Sequence, residues 1–93
     1  GFTAIRIEHN DIANNTTLGI GLNDSTEVVI DSNVFEGHTV AASIDDETLV
    51  IRNRFSNNAT NVEADTSMLF NNTIAPTITT LSAATNPFAN IEW

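Results

Sequence analysis

One short motif recurs four times along this chain and constrains its fold more than any other feature. It reads apolar-x-x-Asn-x-apolar, and its asparagines are separated by 23, 20 and 19 positions. A period of about twenty residues, with some variation in loop length, is typical of a solenoid in which each repeat forms one coil and stacks on the next. The four asparagines are Asn10, Asn33, Asn53 and Asn72.

Stretches in which apolar and polar residues alternate surround each asparagine. Ile5 and Ile7 precede the first asparagine in this way, and Val28 and Ile30 precede the second. Further stretches follow at residues 19–22, 42–44 and 62–64. Such short alternation, bounded by polar turns, predicts half-buried strands, and no segment shows a sustained helical period. We therefore predict an all-β chain, a right-handed, single-stranded parallel β-helix (β-solenoid) of about four coils with three strands in each.

Stacking the repeats predicts which side chains form the core. The inward stack of one wall is Ile7, Ile30, Val50 and Leu69, and that of the next wall is Ile12, Phe35, Phe55 and Ile74. If the turn is one residue shorter in the last two coils, Ile51 and Phe70 point inward instead. Asparagine tolerates the left-handed backbone of a sharp turn. Its amide can also donate to the asparagine one coil away, so we predict a ladder of all four asparagines that satisfies inward-facing polar groups.

The chain length accommodates one domain, residues 1–93. We divide it into coils at about residues 4–25, 26–46, 47–65 and 66–82, with 83–93 as a tail or cap. No amphipathic capping helix is present, so we expect open strand edges at the ends. Phe88, Ile91 and Trp93 would fold over the last coil or begin a fifth. We expect a chain that begins with Gly1 to be a processed form or a piece of a longer protein.

Two segments carry a resemblance to a known family. Residues 28–35 read Val-Val-Ile-Asp-Ser-Asn-Val-Phe, and residues 19–25 read Gly-Ile-Gly-Leu-Asn-Asp-Ser. They are similar to the parallel β-helix repeats of the pectate lyase-like superfamily, over about residues 4–75. The resemblance implies the fold but no single function, because that superfamily includes lyases, hydrolases, epimerases, adhesins, tailspikes and inert scaffolds.

Composition argues against several classes of partner. Three arginines, no lysine and twelve acidic residues give a net charge of −9. Nucleic acids and anionic membranes need clustered basic residues, so we expect neither as a partner. No apolar run is long enough for membrane insertion. The absence of cysteine removes disulfides, thiolate chemistry and cysteine-based zinc sites.

The resemblance implies that catalytic or sugar-binding residues, where present, project from one strand wall, here the wall of residues 19–22, 42–44 and 62–64. The candidate catalytic residues are Asp45, Asp65 and Glu63. Asp45 and Asp65 would stack one coil apart, close to the ~5 Å separation in retaining glycosidases. The candidate cation ligands, of the type that suits Ca²⁺, are Asp24, Asp45, Asp46 and Asp65. The alternative is that these acids are solvated turn residues.

Comparison with enzymes of the resembled superfamily leaves catalysis unsupported. Asp45 and Asp46 resemble the paired aspartates of polygalacturonases, but the companion Asn-Thr-Asp, Gly-His-Gly and Arg-Ile-Lys motifs are absent. The arginine or lysine base of pectate lyases has no counterpart on this wall. If the chain is an enzyme, the resemblance implies a polysaccharide lyase or glycoside hydrolase; the missing motifs favour a chain without catalysis and without a cofactor.

The basic residues are explained by structure. Arg52 should stack with Glu8 and Asp31, and Arg54 should lie opposite Asp11, as exposed charge pairs. Arg6 belongs to the same class. The two histidines, His9 and His38, hold unrelated positions in the repeat, which argues against a shared metal site.

Two hypotheses follow. The first is a non-enzymatic, extracellular or cell-surface structural module that self-associates through its open solenoid ends, as a filament subunit or as a segment of a larger surface protein. The second is a fragment of a polysaccharide-active or carbohydrate-binding parallel β-helix protein.

Overall fold

A computed structural model describes residues 3–23, 26–45, 47–64, 72–79 and 86–92. These residues form strands and turns without a helix. In chain order the strands are β1 (Thr3–Glu8), β2 (Asp11–Ala13), β3 (Leu18–Gly21), β4 (Thr26–Asp31), β5 (Val34–Glu36), β6 (Val40–Ile44), β7 (Thr48–Ile51), β8 (Arg54–Ser56), β9 (Thr60–Ala64), β10 (Thr73–Ile74), β11 (Thr77–Ile78) and β12 (Asn90–Glu92).

Every pairing between these strands is parallel, and the pairings build three sheets. The first wall has the order β1-β4-β7-β10, the second β2-β5-β8-β12-β11 and the third β3-β6-β9. In each of the first three repeats, strands one, two and three therefore belong to different walls, so each of these repeats is one coil. The expected parallel β-helix is confirmed.

The predicted apolar stacks form the core. Ile7 pairs with Ile30 and Ile30 with Val50 in the first wall, which places Val50 rather than Ile51 at the inward position. In the second wall Phe35 and Phe55 stack with ring centroids 5.4 Å apart, and neither is exposed. The described residues that complete this core are Val28, Ala41, Ala42 and Ile44.

The fourth coil differs from the expectation in its register. Ile74, expected in the second wall after Phe55, lies in the first wall opposite Val50. In the second wall, Glu92 of β12 lies opposite Phe55. The tail strand β12 thus lies between β8 of coil three and β11. Leu69 and Phe70 are outside the described residues.

The asparagine column also differs at its last member. Asn10, Asn33 and Asn53 follow one another as expected, but Asn53 then bonds to Asn90 and not to Asn72. Asn72 accepts a hydrogen bond from the Thr48 backbone N–H at 2.9 Å. The physical reason is the insertion of β12, which places Asn90 directly beyond Asn53.

The left-handed residue of each turn is the one before the asparagine, not the asparagine itself. His9, Ser32 and Arg52 have φ values of 58°, 59° and 54°. This conformation turns the chain and leaves the next residue, the asparagine, free to point its amide along the column. No helix among the described residues is long and apolar enough to cross a membrane.

Candidate functional site

The acidic residues expected to carry chemistry are only partly described. Asp45 follows β6 and is 7 % exposed, and its backbone carbonyl accepts a hydrogen bond from Asn72 Nδ2 at 2.6 Å. Glu63 lies on β9, exposed to solvent, at the position that pairs with Ser43. Asp24, Asp46 and Asp65 lie outside the described residues. Asp45 is thus a buried residue, which differs from the alternative of a solvated turn acid.

A bidentate ion pair on the outer face of the first wall links two coils. Arg52 Nε donates to Asp31 Oδ1 at 2.8 Å, and the Ser32 hydroxyl donates to the same oxygen at 2.7 Å. The Arg52 hydrogen bond is the main cause that lowers the pKa of Asp31; burial opposes it, and the Ser32 bond adds to it. The Arg52 guanidinium also lies 5.7 Å from the centre of the Phe88 ring. This contact ties the tail segment to coil three.

The lowered pKa of Asp31 predicts an acid-dependent contribution to stability. Because the folded-state pKa is below the unfolded value, the contribution is complete above about pH 4 and is lost as the pH falls through the folded pKa. We expect the difference in unfolding free energy between wild type and Asp31→Asn to be constant from pH 7 to about pH 4 and to shrink below it. Urea denaturation at each pH measures it, with Asp11→Asn, at an exposed position of the second wall, as the control. A difference that grows on acidification would contradict the assignment.

An apolar cleft of about 440 Å³ lies beside the same face. Leu49 and Ile51 of β7 form its floor, and Ile74, Pro76 and Phe88 contribute further apolar surface. Phe88 is 52 % exposed and Ile74 is 42 % exposed. The repeat pattern does not reveal this cleft, because the tail that borders it has no repeat register.

A second column of polar residues runs parallel to the asparagine ladder, and it contains a histidine. Asn15, His38 and Asn58 follow the second-wall strands at equivalent positions, since β2, β5 and β8 pair in register. The His38 backbone N–H donates to Asn58 Oδ1 at 2.9 Å. Asn58 Nδ2 donates to the carbonyl of Phe35, and His38 Nε2 makes the equivalent contact to the carbonyl of Ile12 at 2.8 Å. His38 is therefore a structural substitute for asparagine in this column.

The fold makes room for the larger histidine ring through a glycine. A Cβ atom at Gly19 would lie 3.2 Å from His38 Nε2 and 2.5 Å from the backbone oxygen of Ala41. His38 is 3 % exposed, and its ring meets Phe35 edge-on at a centroid distance of 6.3 Å. Its second nitrogen, Nδ1, lies 3.3 Å from the Asn15 carbonyl oxygen.

The substitution His38→Asn tests this structural role. Asparagine can repeat the bonds that Asn58 makes, so we expect His38→Asn to change the free energy of unfolding by less than about 1 kcal/mol. His38→Ala should cost about 3 kcal/mol, because the carbonyl of Ile12 loses its donor and a cavity opens beside Phe35. Urea denaturation of both variants measures the two free energies of unfolding. Equal losses in the two variants would show that His38 has a different role.

At the N-terminal end of the solenoid, as far as the structure describes the chain, the side chains of Ile5, Ile7, Ile12, Ile20 and Leu22 are only half-buried, and we call this surface the open N-terminal end. Their equivalents one coil further on, Val28, Ile30, Phe35, Ala42 and Ile44, are each at most 2 % exposed. Nearby Leu18 is 40 % exposed. Among the described residues, coil one thus has a neighbouring coil on one side, whereas coil two has one on each side.

Comparison with known proteins gives one match. The model of the family described as periplasmic copper-binding protein (NosD), a parallel β-helix family, matches residues 2–89. No curated protein and no solved structure matches the chain. The resemblance to the pectate lyase-like superfamily stays a prediction.

The family description names copper, a metal that binds only a few kinds of side chain. Copper sites in proteins use imidazole nitrogens and cysteine or methionine sulfurs. The chain has no cysteine, and both ring nitrogens of His38 face backbone carbonyl oxygens, which leaves no nitrogen for a metal. Within the described ranges no three His, Cys, Asp or Glu residues group together as metal ligands. The described residues therefore bring no group of copper ligands together.

Proposed function

Since the chain belongs to the NosD family, we propose that it is a non-enzymatic structural β-helix module outside the cytoplasm, whose open N-terminal end stacks against another β-coil. The family description, which says periplasmic, supports a location in the cell envelope. Two versions of this role exist. The chain is a subunit that stacks end to end in a filament, or it is a segment of a larger surface protein.

The observation that carries the proposal is the difference in burial between coil one and coil two. Ile7 is half-buried although its partner Ile30 is fully buried, and Ile12 and Phe35 differ in the same way. Apolar area removed from water stabilises by roughly 25 cal/mol per Å². A further coil on this end would bury these side chains as coil one buries those of coil two. It would also pair the free edges of β1, β2 and β3.

Carbohydrate chemistry has less support. It would rest on Asp45, Asp65 and Glu63, and the burial of Asp45 removes from solvent the one described aspartate among them. We therefore do not propose the polysaccharide-active alternative.

Insertion of an extra coil tests the stacking role. A copy of residues 27–46 placed between Thr3 and Ala4 stays in repeat register, because Thr3 pairs with Thr26. Ala4, Glu27 and Glu47 also share the left-handed backbone, with φ values of 56°, 57° and 50°. We expect the melting temperature to rise by at least about 5 °C, since the new coil covers the open end.

The matched control inserts twenty Gly and Ser residues at the same place, which should lower the melting temperature or leave it unchanged. A repeat insertion that behaves like this control would contradict the stacking role. Sedimentation velocity and electron microscopy of the original chain then separate the two versions. Fibres or mass growing with concentration support the filament, and a monomer at all concentrations supports the segment of a larger protein.

A further inference from the structure

We infer that the open N-terminal end selects one kind of partner: a parallel β-coil that carries an asparagine at the turn matching Asn10. The backbone N–H and the Nδ2–H of that asparagine would both donate to Asn10 Oδ1. The inference rests on the proposed stacking function and specifies the chemistry of its partner.

The hydrogen bonds of the ladder all run in one direction. Asn33 donates to Asn53 Oδ1 through its backbone N at 2.9 Å and through Nδ2 at 3.1 Å. Asn10 donates to Asn33 Oδ1 through the same two atoms at 3.0 and 3.2 Å. Each side-chain oxygen therefore receives two donors from the coil on its N-terminal side.

Asn10 itself is the first asparagine of this series. Its Nδ2 donates to Asn33 and to the carbonyl of Glu8, and its backbone N–H donates to Asn33. In the described part of the chain, the Asn10 side-chain oxygen has no such pair of donors. The partner that continues the existing coil-to-coil interface is one that supplies both donors from a single asparagine.

The opposite end of the ladder, in the part of the chain that the structure describes, has no asparagine to supply them. Asn90 donates its backbone N–H to the carbonyl of Pro76 at 2.8 Å and its Nδ2–H to the carbonyl of Ala75 at 3.0 Å. Two backbone oxygens thus replace the next asparagine oxygen. The residue at the asparagine position of this last turn is Thr77, which pairs with Asn90 and has no side-chain amide to continue the series.

This difference between the two ends indicates which partner fits the open N-terminal end. In a head-to-tail contact with a second copy, Thr77 would stand at the turn that matches Asn10, and Asn10 would meet a threonine and no asparagine. A coil of the type formed by residues 27–46, with Asn33 at its turn, offers both donors in the geometry already seen between Asn33 and Asn53. The geometry therefore favours an asparagine-bearing coil of the same repeat over the C-terminal end of this chain.

The experiment compares Asn10→Ala in two backgrounds, the original chain and the chain with residues 27–46 inserted between Thr3 and Ala4. In the original chain Asn10 is exposed, and its loss should lower the melting temperature by about 4–8 °C. In the inserted chain Asn10 becomes an interior member of the ladder. The same substitution should then lower the melting temperature by at least about 5 °C more.

Asn53→Ala is the internal control, because Asn53 has an asparagine on each side in both backgrounds. This substitution should lower the melting temperature by the same amount in each background. A second variant replaces Asn33 by alanine in the inserted copy alone, which should remove most of the extra effect of Asn10→Ala.

The outcomes separate this inference from the proposed function. The inserted coil could stabilise the chain while Asn10→Ala lowers the melting temperature equally in both backgrounds. That result would overturn the asparagine requirement and leave the stacking function intact. An inserted chain that is not stabilised, or does not fold, overturns the stacking function and the inference with it.

Discussion

The substitution Asn53→Ala is expected to lower the free energy of unfolding by about 4 kcal/mol. Asn53 is 1 % exposed and bonds in three directions. Its Oδ1 accepts two hydrogen bonds from Asn33, and its Nδ2 donates to Asn90 Oδ1 and to the carbonyl of Ile30. Alanine leaves these buried groups without partners, and each such group costs about 1–3 kcal/mol.

Urea denaturation measures this loss, with Asn10→Ala as the matched control. Asn10 makes its side-chain bonds at the open end, where water can replace them, so its loss should cost about 1 kcal/mol. Equal losses for Asn10→Ala and Asn53→Ala would contradict the view that burial makes the ladder important for stability.

The substitution Phe35→Ala should have an effect of similar size, about 4 kcal/mol. Phe35 is fully buried, its ring stacks on Phe55 and its edge meets His38. Removing the ring leaves a cavity between coils one, two and three, and parallel strands on both sides limit its collapse. For a domain of this size the total stability is about 5–14 kcal/mol, so this single change removes a large part of it.

The control for this prediction is Phe88→Ala. Phe88 is also a phenylalanine but is 52 % exposed, and its ring contact to Arg52 is a surface interaction. We expect a loss of about 1 kcal/mol or less. If Phe88→Ala lowered the free energy of unfolding as much as Phe35→Ala does, the tail and not the interior of the coils would be the main source of stability. Guanidinium denaturation followed by circular dichroism measures both.

The sequence was sufficient to predict the walls of the first three coils. Large apolar residues recur there at the coil period, and a shift of one residue would turn each of them out to solvent. The pattern therefore predicts Ile7, Ile30 and Val50 in one stack, and the observed register confirms it.

The fourth coil could not be predicted in the same way. The segment around Asn72 matches the motif as well as the others do, but the position beyond Asn53 is taken by Asn90, 37 residues along the chain. Competition between two distant segments for one strand edge is decided by packing and has no local signal. The burial of Asp45 could not be predicted for a related reason. A turn aspartate is usually solvated, and its burial depends on contacts with residues distant in the sequence.

The role of His38 did have a signal in the sequence. Asn15, His38 and Asn58 are separated by 23 and 20 positions, the same spacings as Asn10, Asn33 and Asn53. The shared spacing places the histidine in a column with two asparagines. The different chemistry of the side chains conceals this structural role, because histidine is more readily interpreted as a metal ligand than as a substitute for asparagine.

The open N-terminal end is the central claim, and native-state hydrogen exchange of the original chain tests it most directly. Coil one is covered on one side only, so the amides of β1 should exchange through a local opening, whereas those of β4 and β7 should exchange only on global unfolding. In the chain with the inserted coil, β1 should become as protected as β4. If β1 is already as protected as β4 in the original chain, the N-terminal end is not an open surface, and the proposed stacking role is wrong.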